Sequence, residues 1–111
     1  MITRDDIQTG KVDLRDEGDE LLAPVHPGAH LRDWLEEAGI SAYALAKAMK
    51  VPANRLGAIL LGERAITADT AIRLGKALGT TAEMWLNLQI GYDLEVARRA
   101  QVGADVQHIA A

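Results

Sequence analysis

Six cations, Lys47, Lys50, Arg55, Arg64, Arg73 and Lys76, stand against only two acids, Glu63 and Asp69, across residues 42–79. That stretch is therefore basic inside a chain whose net charge is −4. Clustered Lys and Arg neutralise phosphates; the plainer alternative is a set of solvated helix faces. The first 23 residues have the opposite balance. Arg4, Lys11 and Arg15 are outnumbered by Asp5, Asp6, Asp13, Asp16, Glu17, Asp19 and Glu20, so this acidic segment either docks on a basic partner or keeps the chain soluble. Other groupings carry less chemistry. His26 and His30 are four apart, but Pro27 lies between them and no third ligand follows, so no metal site is expected. Glu36 and Glu37 are adjacent and would point about 100° apart on a helix, which rules them out as an acid/base pair. His108 carries no signal. With no Cys nucleophile and no Gly-rich phosphate loop, an enzyme is not expected, nor is a cofactor.

The basic stretch must be presented by something, and its spacing says what. Ala42, Leu45, Ala46 and Met49 recur as one face of a helix. Lys50 and Val51 break the pattern. Pro52 suits a first helical turn, and Leu56, Ile59 and Leu60 resume a stripe in a helix expected over residues 52–61. Ala46 is small where the second helix must cross. Two short helices joined this tightly form a helix-turn-helix, whose second helix lies in the major groove of DNA. Lys50 falls where a left-handed residue is common, at a cost of about 1 kcal/mol for a non-glycine.

Three further helices flank this unit. Pro24 to Pro27 read as an extended lead-in. Pro27 opens a first helix with Leu31, Trp34, Leu35 and Ala38 as its apolar stripe, Trp34 in the core, and Gly39 as its stop. Ser41 caps the second helix. Gly62 to Ala65 form a loop. Thr67 caps a fourth helix, with Asp69 in its first turn, Ala71, Leu74 and Leu78 inward and Gly79 at its end. Thr81 caps a last helix over residues 82–100. That helix has two apolar stripes about 160° apart: Trp85, Leu88 and Tyr92, then Leu86, Ile90, Leu94 and Ala97. One packs on the domain. The other is expected to meet the same helix of a second copy, with Gly91 allowing close approach. The alternative cover, residues 101–111, offers only Val102, Val106 and Ile109.

The organisation expected is a mobile acidic arm (1–23), a helical domain (24–100) and a tail (101–111). A length of 111 residues with 49% apolar content fits one domain with a core. No apolar run approaches the roughly 20 residues of a membrane span, MITRDDIQTG lacks the apolar core of a signal peptide, and the absence of Cys suits a reducing compartment. A cytoplasmic location with no membrane partner is expected.

The motifs HPG at residues 26–28, GERAITADTA at 62–71 and WLNLQ-x-x-YDL at 85–94 resemble the HigA-type antitoxins of bacterial toxin–antitoxin modules. These are part of the wider phage-repressor-like (Xre/Cro) group, and the resemblance spans about residues 24–99. It implies an all-α, five-helix domain with an extended C-terminal dimerisation helix. It also implies a homodimer on a palindromic operator in its own promoter, and tight binding to a cognate HigB-type mRNA endonuclease toxin. Placed on the motif, the reading face includes Ala53, Asn54, Gly57 and Ala58, with Arg55 nearby. Asn54 can pair with adenine, and Arg55 with guanine or a phosphate. Lys47, Lys50, Arg64 and Thr67 are phosphate candidates. The sequence also departs from the group's pattern. Ala42 stands where Gln is common, Gly57 and Ala58 replace polar residues, and Glu63 replaces a base. Reading would then lean on thymine methyl contacts by Ala53 and Ala58 and on DNA shape. The toxin contact is assigned to Asp13, Asp16, Glu17, Asp19 and Glu20, or alternatively to the helical body. A stand-alone repressor, and a toxin-sequestering protein with little DNA binding, are the competing readings.

Overall fold

The computed structural model describes residues 22–110, which fold into five α-helices with no strand among them. They are α1 (Pro27–Ala38), α2 (Ala42–Met49), α3 (Ala53–Leu60), α4 (Ala68–Leu78) and α5 (Ala82–Arg99). The acidic arm, including Asp13, Asp16, Glu17, Asp19 and Glu20, lies outside the described residues.

Local signals set most boundaries. Ser41 Oγ accepts from Ala44 N at 3.0 Å, Thr67 Oγ1 from Thr70 N at 3.4 Å and Thr81 Oγ1 from Met84 N at 3.1 Å. Each satisfies an amide that the helix itself leaves unpaired. Gly39 and Gly79 end α1 and α4 with φ of 71° and 77°. At α3 the sequence reading is off by a residue at each end. Pro52 is the N-cap, not the first helical residue, and makes no side-chain cap bond; α3 stops at Leu60.

The core is one cluster: Leu31 and Leu35 from α1, Leu45, Ala46 and Met49 from α2, Leu56 and Ile59 from α3, Ile66, Ala71 and Leu74, and Trp85 from α5. The helix α3 packs on α1 and α2, α4 packs on α2 and α5, and α5 also meets α1. Trp34 is a correction: it is 37% exposed. It lies about 80° from the centre of the Leu31–Leu35 stripe, and its ring only leans on Trp85 (6.1 Å between centroids, 57° between planes). The large buried indole is Trp85, whose Nε1 donates to Thr80 Oγ1 at 2.8 Å. Ala38 and Ala42, placed on apolar stripes by spacing, are exposed because they sit at helix ends.

The HPG motif is the joint between α1 and α3. His26 Nδ1 accepts from Gly28 N at 2.9 Å, capping α1, and Pro27 fills its first position without offering an unpaired amide. A Cβ on Gly28 would lie 1.9 Å from the Ile59 carbonyl oxygen; only glycine lets the start of α1 rest on the backbone of α3. The His26 ring also meets Tyr92 edge-on at 5.0 Å. Burial lowers the pKa of His26 below its ordinary value, against the opposing pull of Asp93 and a hydrogen bond to the Arg64 backbone.

A lowered imidazole pKa means that protonation favours the unfolded chain. The stabilisation is complete above the ordinary value of about 6.5 and fades as pH falls toward the lower folded value. Urea midpoints measured from pH 7.5 to 5 should therefore fall for the native chain. His26→Asn keeps a capping oxygen that does not titrate and should flatten that fall. His30 and His108 are common to both chains and cancel in the comparison.

Candidate nucleic-acid interface

The α2–α3 corner is built on a strained residue. Lys50 ends α2 at φ 63°, ψ 42°. Its amide donates to Lys47 O at 3.2 Å and that of Val51 to Ala46 O at 3.1 Å. These bonds close the last turn of α2 and send the chain through Pro52 into α3. The side chain of Lys50 is exposed, as are those of Lys47, Arg64 and Lys76. On α3, Ala53 and Asn54 are exposed, and Gly57 and Ala58 are half-buried. A Cβ on Gly57 would meet nothing within 4 Å, so the protein's own packing does not require a glycine there.

Arg55 differs from its expected role as a groove-facing cation. Its Nη2 donates to Asp69 Oδ2 at 2.6 Å and to Thr70 Oγ1 at 2.8 Å, and the side chain is only 24% exposed. Asp69 also accepts from Arg73 Nε, at 3.2 and 3.3 Å. Arg73 Nη1 in turn donates to the Met49 carbonyl at 3.0 Å, one of the carbonyls left unpaired at the end of α2. One carboxylate thus ties the recognition helix to α4, and through Arg73 to the turn. The hydrogen bond from Arg55, then those from Arg73, hold the Asp69 carboxyl below the usual carboxylate range. With the pKa depressed, this support is present at neutral pH and is lost only as pH falls through the lowered value.

Two of the six cations are therefore engaged inside the protein. Lys47, Lys50, Arg64 and Lys76 remain for phosphates. The Thr67 hydroxyl is engaged as the α4 cap and with Thr70 Oγ1 at 3.3 Å. The amides of the α4 first turn are then what that helix end can offer an anion.

Three residues escape a reading of the sequence. Tyr43 is 70% exposed at the second position of α2, an aromatic off the apolar stripe whose hydroxyl can donate to a phosphate. Gln89 is 5% exposed. It accepts from Ile66 N at 2.8 Å and donates to Asp93 Oδ1 at 2.9 Å, pinning the loop before α4 onto α5. Arg73 reads as plain surface charge. No spacing rule flags the last two, because their partners are distant in sequence.

The second face of α5 divides. Leu86 and Ala97 are half-buried, and Leu86 packs on the core. Ile90 and Leu94 stay 55% and 45% exposed. The tail does not cover them, for Val102, Val106 and Ile109 are themselves 74%, 74% and 97% exposed. Among the described residues no helix is long and apolar enough to cross a membrane.

A family model described as helix-turn-helix matches residues 31–85. An antidote protein of the HigA family from Coxiella burnetii superposes with a TM-score of 0.72 at 44% identity, covering 79% of this chain and 100% of that one. The chain belongs to the HigA family of helix-turn-helix antitoxins. The Pseudomonas aeruginosa antitoxin HigA, solved with the higBA promoter, gives a TM-score of 0.72 at 42% identity over 78% of this chain and 99% of its own. Virulence-associated protein I of Dichelobacter nodosus is 45% identical over 83 residues, 74% of this chain and 77% of that protein.

The HigA-like motifs now have physical meanings. HPG is the α1–α3 joint, TADT holds the α4 cap and the Arg55 partner, and WLNLQ supplies Trp85 and Gln89. They are architectural; the residues that face outward on α3 lie between them. Lys50→Gly relieves the left-handed strain and should raise the unfolding free energy by about 0.5–1 kcal/mol in urea titrations.

Proposed function

We propose that this chain is a dimeric antitoxin that represses its own operon and neutralises a cognate HigB-type, RNA-cutting toxin. The observation that carries the reading is the helix-turn-helix itself, with Asn54 exposed on α3 and Lys47, Lys50 and Arg64 exposed around it. Asn54 reads adenine, Ala53 and Ala58 touch thymine methyls, and Gly57 gives the backbone room to approach. The three cations and the α4 N-terminus at Thr67 hold phosphates. Arg55 acts from behind, as a positioning residue. Two copies meet through Ile90 and Leu94, flanked by Leu86 and Ala97, so that their α3 helices reach successive major-groove turns about 34–36 Å apart. The acidic side chains Asp13, Asp16, Glu17, Asp19 and Glu20 steer the basic surface expected of an RNA-cutting toxin. Such a protein works in the cytoplasm, where its operon lies.

One observation favours a second reading, sequestration of the toxin with weak DNA reading. With Arg55 engaged by Asp69, Asn54 is the one exposed hydrogen-bonding side chain on α3.

Mobility shifts on the chain's upstream DNA across a salt series separate the two. Three phosphate contacts per protomer give a dimer a log–log salt slope of roughly −5, and Lys50→Gly should flatten it by roughly 2 units while weakening binding. A dimer that binds toxin but shows no salt-dependent shift belongs to the second reading.

A further inference from the structure

The helix α5 does not run straight into the tail. Gln101 and Gly103 are left-handed, with φ of 60° and 88°. Val102 N reaches back to Ala97 O at 3.1 Å, and Val106 N to Gly103 O at 3.0 Å. Beyond this ordered turn, Val106 and Ile109 are almost bare, and nothing in their own protomer covers them. Aliphatic side chains gathered outside a core in this way signal an apolar partner surface.

A matching surface exists on the same molecule. A groove of about 490 Å³ opens between the lead-in to α1 and one flank of α5, above the roughly 300 Å³ at which clefts begin to hold a sizeable group. Leu22, Val25, Leu88 and Tyr92 give it apolar walls, and Asn87 and Gly91 line its α5 side. Gly91 lies about 100° around the helix from Ile90, so the groove borders the α5 face through which two copies meet. If two α5 helices cross antiparallel near Ile90 and Leu94, Arg99 of one lies beside the N-terminal half of the other. A ten-residue tail spans at most about 33–36 Å, which covers the remaining distance to the groove.

We propose that the tail of each protomer docks in this groove of its partner, with Val106 and Ile109 as the inserted side chains. The occupant is thus a second copy of this chain, and each dimer is latched twice. The inference rests on the dimeric reading above. It adds to it that residues beyond α5 contribute to the association, and that the lead-in at Leu22–Val25 forms part of the seat.

The chain contains no Cys, so introduced thiols report without background. Differently tagged chains carrying Asn87→Cys and Ile109→Cys are mixed and oxidised. A disulfide needs Cα atoms about 4.4–6.8 Å apart. A bond between the two chains should form at least about tenfold faster than with a control thiol at Glu36→Cys. Independently, Val106→Asp with Ile109→Asp should raise the dimer dissociation constant at least about tenfold in sedimentation, with the helical circular dichroism unchanged. No excess over the control, an unchanged dissociation constant, or a bond only within one chain carrying both thiols overturns the proposal. Faster bonding of Asn87→Cys to Thr9→Cys assigns the groove to the first residues of the chain and overturns it as well. A native chain that is monomeric throughout removes the dimeric reading itself; a dimer indifferent to the tail substitutions removes only the latch.

Discussion

The recognition helix depends on one carboxylate. Its eight residues are fewer than an isolated helix needs to persist in water, it has no side-chain cap, and Gly57 inside it costs about 1 kcal/mol relative to alanine. Its order must come from outside. Leu56 and Ile59 anchor its inner face in the core, and Gly28 brings α1 against its last turn. Asp69 then fixes its first turn by holding Arg55, while the same carboxylate takes Arg73, which reaches the carbonyl at the end of α2. The two helices of the motif and the one that follows are thereby tied at a single point. Both guanidiniums keep partial access to water, so the value of this arrangement lies in geometry more than in stability.

This division explains the composition of the reading face. Arg55, the largest polar side chain on α3, is turned inward to orient the helix, leaving one amide, two methyl groups and a glycine outward. The phosphate-facing charge moves to the flanks, at Lys47 and Lys50 on one side and Arg64 on the other. The helix α5 has an analogous two-sided character. Trp85 and Gln89 complete the core and secure the loop before α4, whereas Ile90 and Leu94 remain open for a second copy. The net negative charge of the chain does not conflict with DNA binding, because the acids are concentrated in residues 1–23 and away from the helix-turn-helix.

Where a feature is decided within a few residues, the sequence carries it. Ser41, Thr67 and Thr81 are caps because a hydroxyl three positions before an amide needs no distant help, and the left-handed turn at Lys50 follows from the break between two stripes. Arg55, Gln89 and Trp34 are misread or missed because their environments come from residues far along the chain. Arg55 finds Asp69 fourteen positions later, and Gln89 finds Ile66 twenty-three positions earlier. A periodic pattern places Trp34 near the apolar side of α1, but Trp85 already fills the space beneath. Counting cations gives the correct sign for the interface and too many contacts, since a formal charge does not reveal which guanidiniums are engaged by a neighbouring carboxylate.

The most direct test is the affinity of an Asp69→Ala dimer for its operator, measured at one salt concentration after circular dichroism has shown the helices intact. By charge alone, deleting an acid beside the DNA should tighten binding. If Asp69 orients the recognition helix, binding instead weakens by about tenfold or more. Affinity that is unchanged or higher would mean that Arg55 and the turn hold their positions without it, and would contradict the dependence of the recognition helix on this carboxylate.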